Sequence, residues 1–161
     1  MMYSKLTIAF VEAVREVVLA ETGLELTRGE LQLSNEVFTT DEVTVIISLV
    51  GTANGSVLYT LNTPAVLTLV RQMMGEPITT FDSLAQSAIA ELGNVITGRA
   101  VVKLSSKGYS LNISPPMLAM GANTSLSTLD LPRLIIPFQL GQTEVCLHLH
   151  LAVRDSHTGP L

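Results

Sequence analysis

Apolar and polar positions along this chain follow two different periods. Between Leu6 and Ala20 apolar residues return at helical spacing, with Ile8, Val11, Val14 and Val18 on one side and Glu12 and Glu16 on the other. Thr22-Gly23 is the expected end of that helix. Glu42 to Gly51 is instead dense in β-branched residues, Ala53-Asn54-Gly55-Ser56 carries an Asn-Gly hairpin signal, and Ser56 to Leu61 reads as the partner strand. A second helix opens at Thr63-Pro64, with Thr63 as its cap and the proline in the first turn, and stops at Gly75. The third and longest helix starts at Asp82 as cap and runs towards Leu104, its end marked by Ser105-Ser106-Lys107-Gly108. Short strands follow around Tyr109–Ser114 and Arg133–Leu140. Gly141-Gln142 then turns the chain into a last strand, Thr143 to Val153, and the polar tail from Arg154 is expected to fray.

Helices before, between and after hairpin-like strands, with no strict βαβ alternation, predict an α+β fold. At 161 residues, 47% of them hydrophobic, the chain has material for one core, and a single domain over 1–161 is expected. The mean hydropathy of +0.45 raises the membrane question. The longest apolar stretch, Ile8 to Ala20, is broken by Glu12, Arg15 and Glu16, and no run approaches the ~20 residues needed to span. The start, Met1-Met2-Tyr3-Ser4-Lys5, lacks a signal peptide's charged region, apolar block and cleavage site. A soluble, cytoplasmic protein is expected. A net charge of −5 without a Lys/Arg cluster leaves no footprint for nucleic acid. The single Cys146 forms no internal disulfide and no Cys-based zinc site alone. With only 14% charged residues, some apolar surface is expected to be covered by a second subunit.

The third helix carries the candidate chemistry. Its periodicity predicts a buried stripe of Leu84, Ala88, Leu92, Val95, Ile96 and Val102, opposite a stripe of Ser87, Glu91, Asn94 and Gly98. Glu91 and Asn94 then lie one turn apart, with Cβ atoms roughly 5–6 Å from each other. A face built only for solubility favours Lys, Arg and Glu over Ser and Gly. Gly93 and Gly98 each cost a helix about 1 kcal/mol against alanine, and close approach by another backbone is the usual reason for that expense. Ser87 and Gly98 therefore read as the small margins of a docking surface around Glu91 and Asn94. In the last strand Cys146, His148 and His150 share one face, with Val145, Leu147, Leu149, Leu151 and Val153 on the core face. Adjacent same-face residues on one straight strand rarely converge on an ion, so a half-exposed or subunit-facing strand is expected there and no metal site. Gly51-x-x-x-Gly55 lacks the Gly-Lys-Ser/Thr of a phosphate loop, and Met73, Met74 and Leu69 read as core.

The segment Ser87-Ala-Ile-Ala-Glu91-Leu-Gly-Asn94-Val-Ile-Thr-Gly98 resembles the signature of the CheC/CheX/FliY family of chemotaxis phosphatases: Asp or Ser, three residues, Glu, two residues, Asn, and a proline some twenty residues on. Here Pro116 follows Asn94 with twenty-one residues between them. Phe10-Val11-Glu12-Ala13, Val45 to Leu58 with Gly55-Ser56-Val57, Met73-Met74-Gly75-Glu76, Ser114-Pro115-Pro116 and Ile135-Ile136-Pro137-Phe138 are similar to further family segments, in order. The likeness is closer to CheX than to CheC, which repeats the Glu/Asn motif. The first helix here has Glu12 but Arg15 three residues on, so it offers no second site. Gly98-Arg99-Ala100 departs from the family's usual Gly-Asn-Ala.

The resemblance implies an antiparallel sheet with the long helices on one face, a homodimer, and hydrolysis of the aspartyl phosphate of a CheY-type response regulator. In that scheme Asn94 orients the attacking water and Glu91 pairs with a receiver lysine, and both act by position and charge. No cofactor of its own is implied, since the Mg²⁺ arrives with the receiver. Two other classes share the pattern: a non-catalytic receiver-binding module, and a structural relative of the flagellar switch proteins.

Overall fold

A computed structural model of the chain describes residues 2–127 and 131–156. It opens with α1 (Met2–Thr22), followed by β1 (Thr27–Arg28), β2 (Gln32–Ser34), β3 (Phe38–Thr39), β4 (Val43–Gly51) and β5 (Ala53–Leu61). Then come α2 (Thr63–Met74), α3 (Ser83–Ser105), β6 (Leu111–Ile113), β7 (Met117–Met120), β8 (Ser125–Leu126), β9 (Arg133–Gln139) and β10 (Cys146–Asp155). The main sheet is antiparallel in the order β1–β9–β10–β5–β4–β6, with β2 also on β9 and β7 also on β4. The three helices cover one face, where Val45, Ile47, Tyr59, Leu147, Leu149 and Leu151 are buried. This is the α+β arrangement that the order of elements predicts, with the helices on one side.

Prolines explain why both outer strands come in two pieces. Pro137 of β9 turns its carbonyl towards the outer strand, accepting from Gly29 N–H at 2.8 Å, and has no N–H to return. The ladder therefore breaks into β1 and β2 around Gly29. On the opposite rim Pro115 and Pro116 separate β6 from β7. Ser114 bridges that gap, its N–H donating to Ser48 O at 3.0 Å and its Oγ accepting from Ser48 N–H at 2.9 Å.

The structure shifts several elements from their expected places. The β4–β5 reversal lies at Gly51–Thr52, not at Asn54-Gly55, and Asn54 Oδ1 accepts from Gly51 N–H at 3.2 Å. Gly55 sits inside β5 with φ 155°, and a Cβ there would overlap the Ala152 carbonyl oxygen of β10. The glycine answers a neighbouring strand, not a turn. Asn62 caps α2, one residue before Thr63, and Gly75 closes it at φ 66°. Asp82 caps α3, accepting from Ala85 N–H at 2.9 Å. The last strand starts at Cys146, and Arg154 and Asp155 still pair with Asn54 and Ala53, so the fray expected from Arg154 does not begin there. The rest of that tail, from residue 157, lies outside the described residues.

Candidate functional site

The third helix sits on the sheet through a glycine. A Cβ on Gly93 would stand 2.9 Å from Val45 Cγ1 and 3.5 Å from Tyr59 Cδ2, closer than a β-branched neighbour tolerates. Glycine thus lets α3 settle against β4 and β5. Beside it Thr97 is fully buried and donates to Gly93 O at 2.8 Å, so its oxygen accepts from the Tyr59 hydroxyl at 2.7 Å. Burial pushes that hydroxyl far above the usual tyrosine range, against the smaller opposing effect of Thr97, and it remains a donor at any working pH. Together these contacts fix the roll of α3.

Exposed ion pairs also join it to α1 from the side. Arg99 donates to Glu16 at 3.2 Å, and Lys103 reaches Glu12 at 3.2 Å and Glu16 at 2.9 Å, all across to α1. Arg99, the departure from the family pattern, is therefore turned to α1. Glu12, the acid of α1 that lacks an asparagine three residues on, is engaged by Lys103 of α3. The partner charges lower the Glu16 carboxyl from its ordinary range, the bond from Lys103 first.

With about 100° per residue and Gly93 facing the sheet, Glu91 points outward and Asn94 falls on the flank away from α1. That flank lies over the β6–β7 rim, which α3 also contacts and where Pro116 sits. Glu91 is exposed, Asn94 half-buried, Ser87 exposed and Gly98 half-buried, with open space where a Gly98 Cβ would go. All four sequence-predicted residues thus share one accessible side of the helix. Neither the Glu91 nor the Asn94 side chain forms a hydrogen bond or ion pair with any described residue. A carboxamide left free in this way both donates and accepts, while the carboxylate offers a negative charge. One carboxylate and one carboxamide supply too few donors to hold a hard cation.

Two parts of the sequence reading are corrected. The expected buried stripe is wrong at its ends: Leu84 is 61% exposed and Val102 67% exposed. Ala88 and Val95 are only half-buried, and the buried row is Ala85, Ile89, Leu92, Gly93, Ile96, Thr97, Ala100 and Leu104. Apolar residues occupy two opposite faces of α3, so periodicity alone does not orient it. Gly93 needs no partner to explain it, because its close approach is to the sheet within this chain. The Tyr59–Thr97 contact was not foreseen, and a lone buried-type threonine in the helix is its sole trace in the sequence.

In the Cys146/His148/His150 row, Cys146 and His148 are half-buried, in keeping with the half-exposed or subunit-facing strand expected, and His150 departs from it. The core face is as read, with Val145, Leu147, Leu149, Leu151 and Val153 all buried. On the other face His150 is also buried, beneath Phe38 of the small β3–β8 sheet, whose ring meets it edge-on at 5.0 Å. Arg133 Nε donates to His150 Nδ1 at 3.4 Å, its guanidinium lies 5.3 Å from the Phe38 ring centre, and Nη1 donates to Glu36 O. Burial, with Arg133 and His148 nearby, pushes His150 down to about 3. A cation and an aromatic ring are its neighbours.

Residues 43–139 match the family model described as chemotaxis phosphatase CheX. The chain is 27% identical over 155 residues to a Thermotoga maritima protein named CheY-P phosphatase CheX, covering 96% of this chain and 99% of that one. Its fold is similar to that of a CheC-like superfamily protein from Shewanella sp. PV-4, with a TM-score of 0.84 at 24% identity, over 93% of this chain and 97% of that one. It is also similar to a chain of the CheX–CheY–BeF3–Mg²⁺ complex of Borrelia burgdorferi, with a TM-score of 0.79 at 25% identity, over 92% and 97%. No helix among the described residues is long and apolar enough to cross a membrane.

Proposed function

This chain belongs to the CheX family of chemotaxis phosphatases, and from that membership we propose that it hydrolyses the aspartyl phosphate of a CheY-type response regulator through Glu91 and Asn94. The observation that carries the reading is that these two side chains stand one turn apart on an accessible helix face and are engaged by no described residue. A receiver domain brings its own Mg²⁺, lysine and in-line geometry to the acyl phosphate, and what it lacks is a positioned water. Asn94 supplies that position: its carboxamide oxygen accepts from the water while its N–H steers the lone pair towards phosphorus. The water oxygen bonds to phosphorus, the bond from phosphorus to the acyl oxygen breaks, the aspartate leaves as its carboxylate, and the water's protons stay with the inorganic phosphate released. In P-loop GTPases a glutamine has the equivalent orienting part. Glu91 pairs with the receiver's lysine and sets the register of docking.

No metal of its own enters this scheme, and the cation travels with the receiver. The name of the Thermotoga relative and the Borrelia CheX–CheY complex support the same partner class. The working form is a cytoplasmic homodimer. Sparse charge and the exposed Leu33 and Val37 beside β2 support the second subunit, and a single cysteine suits a reducing compartment. The test is the acyl-phosphate lifetime of a CheY-type receiver with and without this protein. A shorter lifetime is expected. An unchanged lifetime at a concentration that saturates binding identifies a dock and overturns the catalytic reading.

A further inference from the structure

The two residues that periodicity wrongly buries lie on the same side of α3 as the candidate pair. At about 100° per residue, Leu84 and Val102 each fall within about 20° of Glu91 around the helix, seven residues before it and eleven after. Both point away from the sheet, and both are mostly exposed, at 61% and 67%. Eighteen residues separate them, about 27 Å of helix at 1.5 Å each. A standard interface of ~800 Å² per partner is a disc about 32 Å across, so a body centred between Glu91 and Asn94 along the helix covers both ends. Between them stand Ser87 and Gly98, which raise no barrier. The cations nearest along the helix, Arg99 and Lys103, are drawn aside to α1. The stripe thus has one charge, one free carboxamide and an apolar residue at each end.

The geometry points to Leu84 and Val102 as the apolar anchors by which the receiver domain seats on α3, one on each side of the catalytic pair. This rests on the function proposed above and adds what holds the complex together. Glu91 and Asn94 are small, solvated contacts that set register and chemistry. Removing exposed apolar surface from water is the dominant favourable term in most protein association, and Leu84 and Val102 are the large apolar side chains of α3 that stand exposed. The occupant must carry apolar surface on both margins of its phosphorylation site. A surface that only had to meet Glu91 would not need Leu84 or Val102, and both positions would be polar.

The experiment measures binding and turnover separately on four forms of the full chain: wild type, Leu84→Gln, Val102→Gln and Leu84→Met. Glutamine is a good helix former, so the exposed changes leave the fold intact, which circular dichroism verifies. Binding is titrated against a CheY-type receiver loaded with beryllofluoride and Mg²⁺. Each glutamine variant is expected to weaken binding five- to tenfold, and Leu84→Met to restore it. Dephosphorylation at saturating protein should stay within about twofold of wild type in all three variants, since neither residue touches the reacting atoms. Glutamine variants that bind like the wild type overturn the anchors while leaving the catalytic reading standing. A wild type that binds but does not hydrolyse overturns the catalytic reading and leaves the anchors to be judged on affinity alone. A wild type that does not bind the receiver overturns both. A shift in subunit association with receiver affinity unchanged assigns the stripe to a second copy, and also overturns the proposal.

Discussion

Two clusters of polar side chains stand on opposite sides of the sheet, and they differ in what their polar atoms meet. Arg133 and His150 are buried, yet neither leaves a buried polar atom unmatched, because each engages the other, Glu36 or the ring of Phe38. Glu91 and Asn94 are within reach of solvent and engaged by no described residue. From sequence both clusters look like chemistry, the first as a row of soft donors on a strand and the second as an acid and an amide on a helix. Partnership separates them. Groups that hold a fold together are satisfied inside it, whereas Glu91 and Asn94 keep their bonding capacity for water or a partner.

That contrast predicts a double dissociation. The largest effect belongs to Asn94→Ala, which should cut stimulated dephosphorylation at saturating protein by about 100-fold or more, roughly 2.7 kcal/mol of transition-state positioning. Its melting temperature should barely move, and receiver affinity should persist. Glu91→Ala, measured in the same assays, should weaken binding and turnover together, with a defect that shrinks as salt rises. Should Asn94→Ala keep full saturating activity, Asn94 does not orient the water.

Arg133→Met inverts the pattern. It keeps the bulk but strips the bonds to His150 and Glu36 O, so denaturant unfolding should show a loss of about 1–3 kcal/mol. Dephosphorylation per folded molecule should be unchanged. A catalytic defect in a folded Arg133→Met protein would break the separation of the two clusters.

The next effect is in the pH dependence. His150 is held near 3 in the folded chain against an ordinary value near 6.5, chiefly by burial and then by Arg133 and His148. The unfolded chain therefore binds a proton that the native state refuses. Stability from this group is complete above about pH 6.5 and is lost progressively as pH falls towards 3. His148 is lowered too, by burial, with Asp41 opposing, and adds to the same slope. Unfolding free energies between pH 7 and 4 should decline less steeply in His150→Leu than in the wild type. Equal slopes would show that the histidine is not held neutral.

The smallest effect is expected where ion pairs are exposed. Glu12→Gln with Glu16→Gln removes all three bridges from α1 to α3, yet such pairs contribute about 0–1 kcal/mol and fade in salt. A loss larger than that, or a loss of activity, would show that α1 sets the roll of α3 more firmly than Gly93 and the Tyr59–Thr97 bond do.

Much of this was legible in the chain itself. Asp82 and Gly75 signal their caps through local backbone chemistry, and β10 shows its core face because alternation on a two-sided strand admits a single solution. Glu91 and Asn94 are found because their spacing is a helical turn, whichever face is inward. The failures have one cause. Gly55 and Gly93 are glycines for the sake of a distant strand or sheet, and Leu84 and Val102 are apolar on a face that the fold leaves exposed. Local pattern carries neither kind of information. β1, β2, β3, β7 and β8 escaped for a related reason, since strands of two to four residues are held by neighbours far along the chain and carry no period of their own.

The broken rims have a consequence for how this protein meets other chains. A sheet edge with a long run of unpaired backbone groups invites a passing strand to join it, and that is the route to fibrous aggregates. Here one rim is interrupted opposite Pro137 and the other at Pro115-Pro116, so among the described residues the longest piece on either rim is the four residues Met117–Met120. A newcomer finds only a short template to extend. Association at these edges then leans on side chains, whose shapes discriminate between partners, more than on the backbone, which accepts any sequence.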